Sequence, residues 1–189
     1  MGLQEQVIRR LASGQWCSGS DIAVALGVSR AAVWKHVQAL PALGLPVDAT
    51  AGRGYRLQRP LDLLDERAIT AALDSAARSA LDELAVVPVT DSTSDDLLAR
   101  PGPGVGRLVA RFAEHQARGR GRRGRSWLSA YGSGLCMSIA TSLARAPRDL
   151  PALSLAMGVV VRRVLSDCGA EGIALKWPND LLTPAGKVA

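Results

Sequence analysis

The run Gly119-Arg120-Gly121-Arg122-Arg123-Gly124-Arg125-Ser126-Trp127 restricts this chain more than any other feature. Four arginines spaced by glycines suit neither a helix nor a strand, because each glycine has extra backbone entropy to lose on ordering. They suit a mobile loop that closes over an anion. Guanidinium forks pair bidentately with phosphate or carboxylate, and glycine lets the backbone approach those oxygens. The chain must therefore carry this loop between regular elements, with a nucleotide or an acyl phosphate as the expected occupant.

With 48% apolar and 21% charged residues over 189 positions, the composition is that of a globular chain with room for one full domain and a small one. The net charge of +6 is unevenly spread. Residues 1–60 and 116–189 are basic and residues 61–115 acidic, which suggests two separate anionic partners. Cys17, Cys136 and Cys168 form no close-spaced pair, which points to a reducing compartment and offers no metal-ligand set. The first ten residues read as an amphipathic helix carrying Glu5, Arg9 and Arg10, not as a signal peptide. No uninterrupted apolar run reaches membrane-spanning length, so no membrane partner is expected and the cytoplasm is the expected location.

The first 57 residues read as three short helices and a hairpin. Leu3, Val7, Ile8 and Leu11 recur at helical spacing, and Gly14 ends that helix. Ser18 or Ser20 caps a second helix, which stops at Gly27. Ser29 caps a third, with Val33, Val37 and Leu40 inward and Arg30, Trp34, Lys35 and Gln38 outward. Two helices joined by a tight glycine turn, the second basic, form the helix-turn-helix pattern. Val47 to Leu57 reads as two strands around a Gly-Arg-Gly tip, a wing whose Arg53 and Arg56 are expected to touch DNA phosphates. Arg30 and Lys35 are expected at base edges or phosphates.

After a link containing Pro60, the pattern predicts a helix over 67–84, a short strand Val86–Val89, and a helix opened by Thr90-Asp91-Ser92-Thr93-Ser94. A strand from 107 to 114 leads through Gln116 into the Gly-Arg loop, and another runs from 135 to 141. Beyond the loop, Trp127 and Tyr131 are expected to cover a base or an apolar ring. A long apolar helix over 153–168 should cover a sheet face. A strand from 173 then ends in Lys176-Trp177-Pro178-Asn179-Asp180, before a hairpin that turns at 184–186 and re-emerges at Lys187. The competing reading of the Gly-Arg run is a non-specific RNA-binding tract; its shortness and its place between two strands count against that.

With both halves read, the chain resembles the bifunctional biotin protein ligases that double as biotin operon repressors in bacteria. The resemblance rests on Ser29-Arg30-Ala31-Ala32-Val33-Trp34-Lys35-His36, on Asp91-Ser92-Thr93, on the Gly-Arg run with Trp127, and on Lys176-Trp177-Pro178-Asn179-Asp180, in that order. It implies an α+β architecture, with a winged helix-turn-helix domain over 1–60 followed by the N-terminal part of a mixed-sheet catalytic domain with flanking helices over 61–189. It implies ATP and biotin as substrates, with Mg²⁺ accompanying the nucleotide. Biotinyl-5′-AMP would form first, and biotin would then pass to a lysine of a carboxylase's biotin carrier domain.

The same resemblance implies that Ser92, Thr93, Ser94 and Gln116 hold biotin, with Arg120, Gly121, Arg122 and Lys187 around its carboxylate. Arg120, Arg122, Arg123, Arg125, Trp127, Lys176, Asn179 and Asp180 would meet the nucleotide, with Arg122 and Lys187 the catalytic cations. Ser29, Arg30, Lys35, His36, Arg53 and Arg56 would meet operator DNA, bound by a homodimer of the full-length protein. Ser94 stands where the family commonly has Asn. The family's sheet continues past the position of Ala189 into further strands and a small C-terminal domain, so these residues are expected to be the first part of that architecture. The alternative reading is a biotin-sensing regulator without catalysis.

Overall fold

The computed structural model describes residues 1–121, 125–145 and 150–188. Its contacts divide the chain into two units, Met1–Ser142 and Leu143–Ala189.

The first unit begins with helices α1 (Leu3–Leu11), α2 (Gly19–Leu26) and α3 (Arg30–Ala39). Each starts and stops where local chemistry dictates. The Ser18 hydroxyl accepts the Ser20 N–H, and that of Ser29 accepts the Ala32 N–H at 3.1 Å. Gly27 ends α2 in the left-handed region, its N–H turned back to Ala23 and Val24. A short 3₁₀ turn, Leu40–Leu43, leads to the antiparallel hairpin of β1 (Val47–Thr50) and β2 (Gly54–Leu57). Cys17 exchanges both backbone hydrogen bonds with Tyr55, each 2.9 Å long, so the chain between α1 and α2 forms a third edge of the wing. Val7, Ile8, Leu11, Val33, Leu40 and Leu57 are all at most 2% exposed and form the core.

Tyr131 joins that core from far along the chain. It is 1% exposed among the winged-helix residues, and its N–H donates to the carbonyl of Leu43 at 2.9 Å. The expectation that Tyr131 covers a ligand ring is thereby overturned: the winged-helix core claims the ring.

Residues 67–84 do not form one helix. Asp74 caps a new start through the Ala77 N–H, giving α4 (Glu66–Ala72) and α5 (Ser75–Ala80), with Leu73 extended between them. The expected strand begins earlier, as β3 (Leu81–Val87), and stops before Pro88. It pairs in parallel with β4 (Leu108–Ala113), which pairs antiparallel with β5 (Cys136–Thr141). The sheet order β3-β4-β5 is thus mixed. Between β3 and β4 lies α6 (Thr93–Leu98), capped by Ser92.

In the second unit, α7 (Leu150–Asp167) packs against a meander of β6 (Ala174–Lys176), β7 (Asp180–Thr183) and β8 (Gly186–Lys187). Gly158 lies where a side chain would come within 3.2 Å of Leu175, so the helix meets β6 there. The Arg162 Nε–H donates to the Ile173 carbonyl at 2.9 Å and fixes the strand's entry. Among the described residues no helix is long and apolar enough to cross a membrane.

Candidate binding sites

The carboxyl ends of two parallel strands form a natural ligand position, because the chains leaving them diverge and expose backbone donors. Parallel pairing continues past the ends of β3 and β4. Thr90 donates to the His115 carbonyl, Ala117 donates to that of Thr90 and Arg118 to that of Asp91, at 2.8–3.1 Å. This register sets Gln116 beside the first turn of α6. The Thr93 N–H and hydroxyl both donate to Gln116 Oε1, at 2.9 and 3.1 Å, and the Thr93 hydroxyl lies 2.8 Å from that of Ser138 on β5. Ser92 and Thr93 are only 5% and 2% exposed. With its oxygen held by Thr93, the Gln116 amide directs its NH₂ group toward the Gly-Arg loop, 3.5 Å from where a side chain on Gly119 would lie. Ser94 is exposed on the second residue of α6.

The base of that loop is paired, not open. Arg120 and Ser126 form an antiparallel bridge, the Gly121 N–H donates to the Arg125 carbonyl at 2.7 Å, and the Trp127 N–H donates to that of Gly119 at 2.8 Å. Gly119 is buried, and a Cβ there would lie 2.5 Å from the Trp127 carbonyl oxygen. Glycine is required by that approach alone. Gly119→Ala is expected to force the two limbs apart and raise exchange of the Trp127 amide proton at least about tenfold, with the α1–α3 amides unchanged, as read by hydrogen-exchange mass spectrometry.

Two arginines at the loop base have anionic partners on or beside α6. Arg120 pairs with Asp95 and Arg118 with Asp91. Arg125 is exposed and Trp127 half-buried. The expected roles of Arg122 and Arg123 fall on residues outside those described.

Behind the site, Glu114 is 2% exposed at the end of β4. Its Oε1 accepts the Leu64 N–H at 2.7 Å and its carbonyl accepts the Gly132 N–H. Burial pushes its carboxyl above the ordinary range, opposed by the Leu64 hydrogen bond. Sequence reasoning had missed Glu114, Ser138 and Asp95. Only Asp95 left a signal, as the acid three residues after a serine cap.

In the second unit, the turn between β6 and β7 gathers the other expected nucleotide residues. Lys176 opposes Asp180 across the hairpin, with Trp177, Pro178 and Asn179 as its tip. Trp177 is 75% exposed. Lys187 on β8 donates to Asp180 Oδ1 at 2.7 Å, so the meander brings Lys176, Asn179, Asp180 and Lys187 to one end. Among the described residues no group of three or more His, Cys, Asp or Glu side chains could hold a metal ion.

The winged-helix surface presents α3. Arg30, Trp34, Lys35 and Gln38 are exposed, His36 is partly buried, and the Ser29 hydroxyl is engaged in capping. On the wing, Arg53 lies at the exposed tip, while Arg56 donates to Asp48 at 2.5 Å.

Two sequence families match the chain: an HTH domain over residues 3–56 and the biotin/lipoate A/B protein ligase family over residues 86–189. The bifunctional ligase/repressor BirA of Escherichia coli is 40% identical over 187 residues, covering 97% of this chain and 55% of that protein. BirA of Bacillus subtilis is 34% identical over 172 residues, covering 90% and 52%. A biotin–[acetyl-CoA-carboxylase] ligase of Mycobacterium tuberculosis is 39% identical over 139 residues, covering 71% and 51%. The chain thus spans about half the length of these relatives. A biotin protein ligase from Aquifex aeolicus, solved with biotin and ATP, superposes with a TM-score of 0.47 at 33% identity, covering 57% of this chain and 44% of that one.

Proposed function

The chain belongs to the biotin/lipoate A/B protein ligase family, with an HTH domain ahead of the ligase part, and from that premise we propose that it acts in biotin protein ligation and in repression from operator DNA. In this reading residues 1–60 bind DNA and residues 61–189 supply the first part of the ligase domain. The reaction joins a biotin carboxylate oxygen to the α-phosphorus of ATP and releases pyrophosphate. The amine of a lysine on the carrier domain of a carboxylase then attacks the biotinyl carbonyl, and AMP leaves.

The observation that carries this reading is the hydroxyl–carboxamide cluster of buried Ser92 and Thr93 with half-buried Gln116 and Ser138, beside the base of the Gly-Arg loop. A ureido ring offers one carbonyl acceptor and two N–H donors on one edge, which a preset array of hydroxyls and one amide can match. Ser94 and Gly121 complete the biotin side. Carboxylate attack on phosphorus concentrates negative charge, and fixed cations stabilise it without reorganising. Arg122 and Lys187 would have that role, with Arg120, Arg123 and Arg125 meeting the nucleotide. Arg120 would exchange Asp95 for a ligand oxygen. Trp127 offers an indole face to the adenine, and Lys176, Asn179 and Asp180 polar contacts to the nucleotide. Magnesium would accompany the nucleotide as its counter-ion, with Asn179 and Asp180 supporting both. Homodimerisation of the full-length protein and a cytoplasmic location belong to the same proposal.

The test is single-turnover mixing of the chain with biotin and ATP, with biotinyl-AMP detected by mass. Adenylate is expected from the unsubstituted chain. Lys187→Ala is expected to slow its formation by about 10²-fold or more while leaving the affinity for duplex DNA unchanged. Biotin binding in a calorimeter with no adenylate would replace the ligase reading with that of a biotin sensor. No biotin binding at all would overturn both.

A further inference from the structure

The two arginines of the wing have different surroundings. Asp48 and Arg56 face each other in register across the hairpin, and the Arg56 Nη2–H donates to Asp48 Oδ2 at 2.5 Å. Asp48 also accepts from Gln58 at 3.0 Å, and both bonds hold its carboxyl below the usual carboxylate range, that from Arg56 most. The Arg56 Nε is buried without a hydrogen-bond partner. Its guanidinium is thus turned onto a carboxylate within the hairpin, with the Nε edge withdrawn from water. Arg53, at the exposed turn, makes no ion pair among the described residues.

Both guanidinium carbons sit against one indole. Arg53 Cζ lies 4.5 Å and Arg56 Cζ 4.9 Å from the Trp16 ring centroid. The backbone that carries Trp16 is anchored beside the wing, because its neighbour Cys17 is bonded through both backbone groups to Tyr55. A cation over an indole face is held by the ring's quadrupole yet keeps its N–H edges for other acceptors. Stacking on a ring therefore orients a guanidinium without neutralising it, whereas a carboxylate partner removes its charge from use.

We propose that Trp16 is a positioning residue for DNA binding, holding Arg53 ready for a backbone phosphate, and that Arg56 is an internal strut of the wing and not a phosphate contact. This rests on the DNA-binding reading above and narrows it to one cation and its support. The partner is duplex DNA of any sequence, since phosphates carry no sequence information.

The experiment titrates the full chain against a mixed-sequence 30-base-pair duplex by fluorescence anisotropy across a KCl series, with thermal melts of every variant. Arg53→Ala should shallow the plot of log affinity against log salt by about 0.9, the loss of one phosphate contact. Arg56→Gln should leave that slope unchanged and lower the melting temperature instead. Trp16→Leu should keep the slope and weaken binding about threefold to tenfold, because both charges remain but Arg53 is no longer held. Trp16→Phe, which keeps a ring face, should restore affinity, and Trp16→Leu added to Arg53→Ala should weaken binding no further. An equal slope loss in Arg56→Gln, or additive losses in the double variant, would overturn the assignment while leaving DNA binding intact. No binding by the unsubstituted chain at any salt would overturn both.

Discussion

Gly54→Ala is expected to unfold the N-terminal half of the first unit at temperatures where the parent is fully native. Gly54 opens β2 with φ at +97°, a region closed to ordinary side chains. A Cβ there would lie 2.1 Å from the Cys17 carbonyl oxygen and 2.7 Å from both the Cys17 carbonyl carbon and Ser18 Cα. All three are backbone atoms, and Cys17 is the residue that ties the wing to the helices through Tyr55. Relief requires breaking that tie. Adding an overpacking penalty to the strain of a positive φ gives about 3 kcal/mol or more, and the midpoint should fall by about 10 °C or more in a circular-dichroism melt. Gly52→Ala is the control. It has φ of +78° with nothing within 4 Å, so the difference between the two variants isolates the collision from the strain. Equal losses would mean that the close approach to Cys17 contributes nothing.

Thr93→Val is expected to weaken biotin binding about tenfold to a hundredfold with little change in melting temperature. Valine fills nearly the same space and leaves the Thr93 N–H on Gln116, but removes the hydroxyl that links Gln116 to Ser138. An unpaired polar group in a closed site costs about 1–3 kcal/mol, and that loss appears in ligand affinity wherever the hydroxyl chain presents its free end to the ligand. Calorimetric titration with biotin reads it directly. Unchanged affinity would place the ligand elsewhere and leave the cluster a purely structural one.

What could be read from the residues was what local chemistry decides. Ser18, Ser29 and Ser92 cap helices, Gly27 ends one, and the wing follows from two short runs around Gly52-Arg53-Gly54. The hydroxyls at 92 and 93 and the carboxamide at 116 were also legible, since each stands at a strand end. The misreadings share one cause. Leu81 and Leu84 have helical spacing, yet they form β3 because the backbone of β4 pairs with them, and nothing in the segment announces that partner. Asp74 was the one local sign of a break, as the cap of α5. Ser138 is brought to Thr93 by the register of β5 on β4, which a single strand does not encode. Tyr131 was misassigned for the same reason, because an aromatic after a ligand loop looks the same whether a base or a distant core receives it.

That ring bears on how such proteins can be taken apart. The linker near Pro60 invites a cut between a DNA reader and an enzyme, and the two families matched to the sequence, over 3–56 and 86–189, lie on either side of it. The packing does not follow that seam. Tyr131, four residues beyond Trp127, completes the interior of the amino-terminal body, and Glu114 bonds to the linker at Leu64. Separating the halves would leave a cavity in one and a bare aromatic on the other. Recombination, by an engineer or by descent, would therefore have to carry residues 129–132 along with the helices they complete. The unit of exchange is a surface with its plug, and its limits are not those of a contiguous stretch of sequence.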